Sequence, residues 1–176
     1  MDMPVTGSVY AEYGFGERLT LGLDGFRDWS NEGWTTLAFL RRSFNVDGPN
    51  VWALGLAAGP ARTWDGKMAL VIRPELHWGR GTDWGWLSAE SYVVHKSKAD
   101  GLAYKLDLTA GWKMFEDGDL IFQVQSAKYS DTNPSVRLAP SYIRHFGEKW
   151  SLKTGLIVDV KGTDYIGAST ALWFEF

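Results

Sequence analysis

The chain alternates apolar and polar residues with a period of two almost from end to end, and this restricts its fold more than any motif does. From Leu19 the apolar set is Leu19, Leu21 and Leu23 against Thr20, Gly22 and Asp24. From Met68 it is Met68, Leu70, Ile72, Leu76 and Trp78 against Arg73, Glu75 and His77. From Tyr104 it is Tyr104, Leu106, Leu108, Ala110 and Trp112 against Lys105, Asp107, Thr109 and Lys113. From Trp150 it is Trp150, Leu152, Leu156, Val158 and Val160 against Ser151, Lys153, Asp159 and Lys161. Successive side chains of a strand point to opposite faces, so this pattern predicts strands with two unlike faces; helical spacing is almost absent.

Stretches such as "NEG", "VDGPN", "WDGK", "KADG", "FEDGD" and "KGTDYIG" separate the runs. Their Gly, Asp and Asn residues suit the positive φ angles of tight hairpins. The punctuation divides the chain into about eleven strands, at roughly 4–15, 18–29, 34–44, 50–61, 67–79, 86–97, 102–114, 119–129, 135–146, 149–161 and 165–176. Each strand with its turn takes about 16 residues, against the roughly 8–12 of soluble sandwiches. A tilted strand needs about 9–11 residues to cross a bilayer. No linker or composition shift interrupts residues 1–176, which read as a single domain. Pro74 and Pro140 fall inside predicted strands, where a missing N–H donor implies a bulge or local break.

Composition excludes several function classes. The net charge is −3 and there is no basic tract, no GxxxxGK and no GxGxxG after a strand, so nothing supports nucleic-acid or nucleotide binding. There is no Cys, hence no disulfide, thiol nucleophile or zinc–thiolate site. The three His are scattered over three strands without metal-ligand spacing, and no cofactor is implied. No run of about 18 apolar residues exists to form a membrane-spanning helix. The mean hydropathy of −0.20 still suits a membrane barrel, which is apolar on one face only.

Aromatic residues make up 15% of the chain and include ten Trp. Trp29, Trp34 and Trp64 fall toward one end of the predicted strands, and Trp78, Trp84, Trp86, Trp112 and Trp150 toward the other. Two aromatic girdles flanking an apolar band mark a membrane barrel, with the rings as interfacial anchors rather than a carbohydrate platform. The chain then ends on the alternating strand "STALWFEF".

"ALWFEF" resembles the C-terminal strand signature of bacterial outer-membrane β-barrel proteins, with alternating hydrophobic residues and a terminal Phe. The hairpins "EYGFGERLTLGLD" and "HFGEKWSLKTGL" resemble the short periplasmic turns of the same class. The resemblance implies an all-β, antiparallel up-and-down transmembrane β-barrel in the bacterial outer membrane. Its partners would be outer-membrane lipid, the barrel assembly machinery and small solutes. Leu172, Phe174 and Phe176 would form the signal that this machinery reads. A barrel must close in lipid, because every backbone donor and acceptor needs a partner there. Bacterial single-chain barrels have even strand counts. Eleven strands therefore lead to the expectation that a signal peptide and one further N-terminal strand are missing, making about twelve, or that the count is off by one.

Within that reading the polar parity lines a lumen. Arg73, Glu75, His77 and Glu90 are its candidates in the first part of the chain. Lys105, Asp107, Arg137, Lys153 and Asp159 are those in the second. Opposite charges in a small lumen would pair into an ionic network, or form a constriction that selects small solutes by charge. His77, beside Glu75, reads as a hydrogen-bonded lumen residue, and His145 as a rim residue. No catalytic residue is assigned.

Two alternatives remain open. "HKS" places His95 and Ser97 on one side of a strand and resembles the His-x-Ser motif of lipid A 3-O-deacylases. Lys98, Ala99 and Asp100 do not continue that motif, and Asp107 has the opposite parity. A soluble lipocalin-like binder would alternate in the same way. It would cover the apolar parity and expose the charges.

Overall fold

The computed structural model describes residues 5–63, 65–98, 101–129, 133–162 and 166–175. Trp64, Ala99, Asp100 and Phe176, singled out above, lie outside the described residues. All regular structure among the described residues is β: β1 (Thr6–Phe15), β2 (Leu19–Asp28), β3 (Trp34–Phe44), β4 (Asn50–Arg62), β5 (Met68–Thr82), β6 (Gly85–Lys96), β7 (Leu102–Phe115), β8 (Gly118–Lys128), β9 (Ser135–Phe146), β10 (Trp150–Lys161) and β11 (Ile166–Phe174). The strands follow one another in the sheet in chain order. The β1–β2, β2–β3, β3–β4, β8–β9, β9–β10 and β10–β11 ladders are antiparallel, an up-and-down arrangement. This agrees with the all-β, eleven-strand expectation. The largest departure is β5, which runs on to Thr82 through "GRG".

The residues form two compact units, Met1–Trp78 with Ser91–Tyr104 and Gly79–Glu90 with Lys105–Phe176. In the first, the covered face is built on Leu37 and Phe39 of β3, Ala57 and Ala61 of β4 and Val71 of β5, with Val94 of β6 packed against them. In the second, Ile121 of β8 and Ala139 and Ile143 of β9 are buried. Both units share one rule. The charged parity is the covered face, and the parity rich in large apolar residues is open. Leu21 is 42% exposed, Leu108 46% and Leu172 65%. Glu75 and Asp107, on the other parity, are buried.

The prolines act more gently than a bulge. β5 runs through Pro74 without a break. At Pro140 the β9–β10 ladder passes from Gly155↔Ser141 directly to Val158↔Leu138, keeping the same register. Pro60 has the same signature, since the β3–β4 ladder passes from Thr35↔Ala61 to Ala38↔Ala58. A missing N–H opens the ladder locally but leaves side-chain facing intact. The one register shift among these ladders lies between Asp159 and Lys161.

Two glycines make slots for aromatic rings. The Phe39 ring lies over Gly22, where a Cβ would stand 2.3 Å from Cζ of Phe39 and 2.4 Å from the Ala11 carbonyl oxygen. Phe39 also stacks on Tyr10 at 5.4 Å between ring centroids. The Trp86 indole covers Gly111 in the same way, 2.2 Å from the place of a Cβ. A bare backbone under a ring lets it lie flat against the sheet and fill space a smaller residue would leave open. Gly22→Ala should therefore lower stability by about 1–3 kcal/mol, the usual cost of overpacking. Gly79→Ala, with nothing within 4 Å of the added carbon among the described residues, should stay within about 0.5 kcal/mol. Denaturant titration of the two variants checks the contrast.

Candidate functional site

β5 places Arg73, Glu75 and His77 at alternate positions, all on the covered face. Arg73 sits between two carboxylates. Its Nε donates to Glu75 Oε1 at 2.7 Å and its Nη1 to Asp24 Oδ2 at 2.7 Å. His77 Nε2 lies 3.0 Å from Glu75 Oε2, so both oxygens of that carboxylate are engaged. The Tyr92 ring of β6 flanks the guanidinium at 4.9 Å. Asp24 belongs to β2, three strands away from β5 in the sheet, with β3 and β4 between them. The reach is possible because the covered face of β4 carries only small residues near it, Ala53, Gly55 and Ala57. The cluster is well covered: the Glu75 side chain is 3% exposed and that of Arg73 13%. A second group in this unit joins Arg41 to Glu12 at 3.4 Å and to the Tyr10 hydroxyl at 2.8 Å.

The second unit has its own pairs. Lys105 Nζ lies 2.9 Å from Asp107 Oδ2. Asp107 Oδ1 is buried without a hydrogen-bond partner among the described residues. Lys153 of β10 shares this face and interacts with Asp107 electrostatically. Beside them Gln123 donates to Thr109 Oγ1 at 3.0 Å and Gln125 to Gln123 Oε1 at 2.6 Å. Arg137 and Asp159 face each other in register across β9 and β10, with Nε to Oδ1 at 2.6 Å, and the Asp159 side chain is 1% exposed.

Eight of the nine charged or polar candidates from the sequence therefore lie in these clusters: Arg73, Glu75, His77, Lys105, Asp107, Arg137, Lys153 and Asp159. Glu90 differs; it is exposed on β6 and forms no ion pair among the described residues. Several pairs are local to a strand or its neighbours, while Asp24 with Arg73, Glu12 with Arg41 and Asp107 with Lys153 reach across intervening strands. Asp24, Tyr92, Arg41 and Glu12 were not on the candidate list, because only the sheet register brings them to their partners.

The His95 and Ser97 motif is not assembled. The Ser97 hydroxyl accepts from the Leu70 N–H at 3.0 Å. No hydrogen bond joins it to His95 among the described residues, and Asp107 is held by Lys105 on the other face. His145, expected as a plain rim residue, is instead bonded on both ring nitrogens, to Ser151 and to Asp119.

Removing one partner of a covered ion pair strands the other charges. Arg73→Met should cost about 3–5 kcal/mol. The triple variant Asp24→Asn, Arg73→Met, Glu75→Gln should recover most of that loss, because no charge is left unpaired. The open pair Arg144–Asp117, with side chains 58% and 59% exposed, should give about 0–1 kcal/mol when Arg144→Met is made. Denaturant unfolding of the three variants measures all of this. No protein-family model, curated protein or solved structure matches the chain.

Proposed function

We propose that the chain is an integral β-barrel protein of a bacterial outer membrane, with its open apolar face against lipid and its charged face toward a lumen. In this role it is a structural or small-solute channel protein. The observation that carries the reading is the facing of the strands. A water-exposed sheet would leave rows of Leu, Ile, Phe and Trp unburied while covering Arg, Asp and Glu. Hydrocarbon reverses that cost, because apolar side chains lose nothing there and charges belong on the protected side.

Three further features agree with it. The strands run from 9 to 15 residues, enough for the ~9–11 of a tilted crossing. Trp residues pair close to strand ends, Trp52 with Trp78 at 6.4 Å and Trp84 with Trp112 at 5.2 Å. Trp150 lies against Phe174 at 4.5 Å. Rings at this level suit the membrane interface. Leu172 and Phe174 are exposed on the same face of β11, as a terminal assembly signal requires. The covered ion pairs would set the lumen's selectivity by charge, through the clusters around Arg73 and around Lys105, Asp107 and Lys153.

Refolding tests the reading directly. Folding in detergent should give a compact band that shifts on boiling, and plain buffer should give aggregate. Leu108→Arg and Leu21→Arg should each cost about 2–4 kcal/mol in a bilayer. A monomer that folds in buffer without detergent overturns the reading, and so does a neutral result for both arginine variants.

A further inference from the structure

Three covered-face side chains of the second unit form a hydrogen-bonded chain across three adjacent strands, and the channel reading has no use for it. Ser151 is the second residue of β10 and lies directly opposite His145 of β9 in the ladder. Asp119 of β8 pairs with Ile143 and so sits one covered-face position away from His145. His145 Nδ1 lies 2.9 Å from Ser151 Oγ, and its Nε2 3.1 Å from Asp119 Oδ2. The His145 backbone N–H donates to the Asp117 carbonyl at 2.8 Å, which ties β9 to the β7–β8 turn beside Asp119.

The protons can be placed by elimination. An ionised carboxylate only accepts, so Nε2 carries the hydrogen facing Asp119. In the neutral imidazole Nδ1 is then a lone pair, and the Ser151 hydroxyl donates to it. A base beside a hydroxyl, oriented by a third group, is the arrangement that activates a serine nucleophile. The two ring nitrogens have exchanged roles relative to the chymotrypsin-type triad, where Nε2 takes the serine proton. Either nitrogen is a base when the other holds the hydrogen.

We propose that Ser151, His145 and Asp119 form a nucleophilic site that hydrolyses carboxylic esters. Ser151 Oγ attacks the ester carbonyl carbon and its proton passes to Nδ1 of His145. The tetrahedral intermediate collapses as the C–O bond to the leaving alcohol breaks, and that oxygen takes the proton from Nδ1. Water then attacks the acyl-serine, with the same nitrogen as base, to release the carboxylic acid and restore the hydroxyl. The surroundings suit an uncharged or anionic ester with an apolar acyl group. Lys153 is the next covered-face residue of β10, two residues along from Ser151. Trp173, opposite Ser151 on β11 and 45% exposed, offers apolar surface. The His145 side chain is 39% exposed, so water and substrate have access.

An alkyl fluorophosphonate probe tests this. Its phosphorus bonds to Oγ, fluoride leaves and the serine proton passes to His145. Protein whose folding is verified by circular dichroism should take one label per chain, located at Ser151 by mass spectrometry. Ser151→Ala should abolish labelling while keeping the fold. His145→Ala should slow it about a hundredfold or more, and Ser97→Ala should leave it unchanged. Hydrolysis of p-nitrophenyl butyrate should follow the same order. Absence of label on folded protein overturns the proposal, as does labelling that survives in Ser151→Ala. The site lies within β8–β10 and does not depend on what meets the apolar face. Protein that folds in buffer and labels at Ser151 contradicts the membrane reading alone. Detergent-folded protein that does not label contradicts the ester site alone.

Discussion

Strand register is the constraint on which everything else rests. Once Asp24 stands opposite Leu37 and Lys153 opposite Ile143, every side chain of those ladders has its face assigned. A slip of one residue would turn Leu21 and Leu23 onto the covered face and send Asp24 to the open one. The gaps at Pro60 and Pro140 preserve the register on both sides, which explains how prolines inside strands are tolerated here.

Register also makes the ionic clusters. Arg73 meets Asp24 only because β3 and β4 lie between them with the right faces turned, and because β4 contributes small residues there. Covered charges of this kind add little net stability over a well-packed apolar face. Their cost falls instead on any arrangement that separates them, and this disfavours other registers. Phe39 over Gly22 and Trp86 over Gly111 act the same way, since each ring fits only one facing of its neighbour.

Much of the fold was legible in the sequence. Period-two alternation and turn residues placed all eleven strands, with ends that differ by up to three residues. β5 outran its expected end because "GRG" carries no alternation to read. Alternation alone was symmetric between the two parities; the Trp placement and the terminal strand pointed to the polar parity as the inner face, and burial of Glu75 and Asp107 agrees. Arg73, Glu75 and His77 could be grouped because they share one strand at alternate positions. Asp24 and Tyr92 could not, since their contacts depend on strands three apart or on an unknown neighbour pairing. The Asp119–His145–Ser151 chain was missed for the same reason. One signal was available: His145 and Ser151 lie symmetrically about the "FGEKW" turn, which puts them opposite each other in any tight hairpin.

The central claim is that the apolar parity faces lipid and the charged parity does not. The natural chain has no Cys, so single cysteines can carry a spin label at successive positions of β7, from Tyr104 to Trp112, in protein folded into bilayers. Accessibility to oxygen and to a water-soluble nickel complex is then read at each position. The account predicts alternation, with oxygen contact high at Tyr104, Leu106, Leu108 and Ala110 and low at Lys105, Asp107 and Thr109. Flat profiles, or nickel contact highest at the leucines, would contradict it.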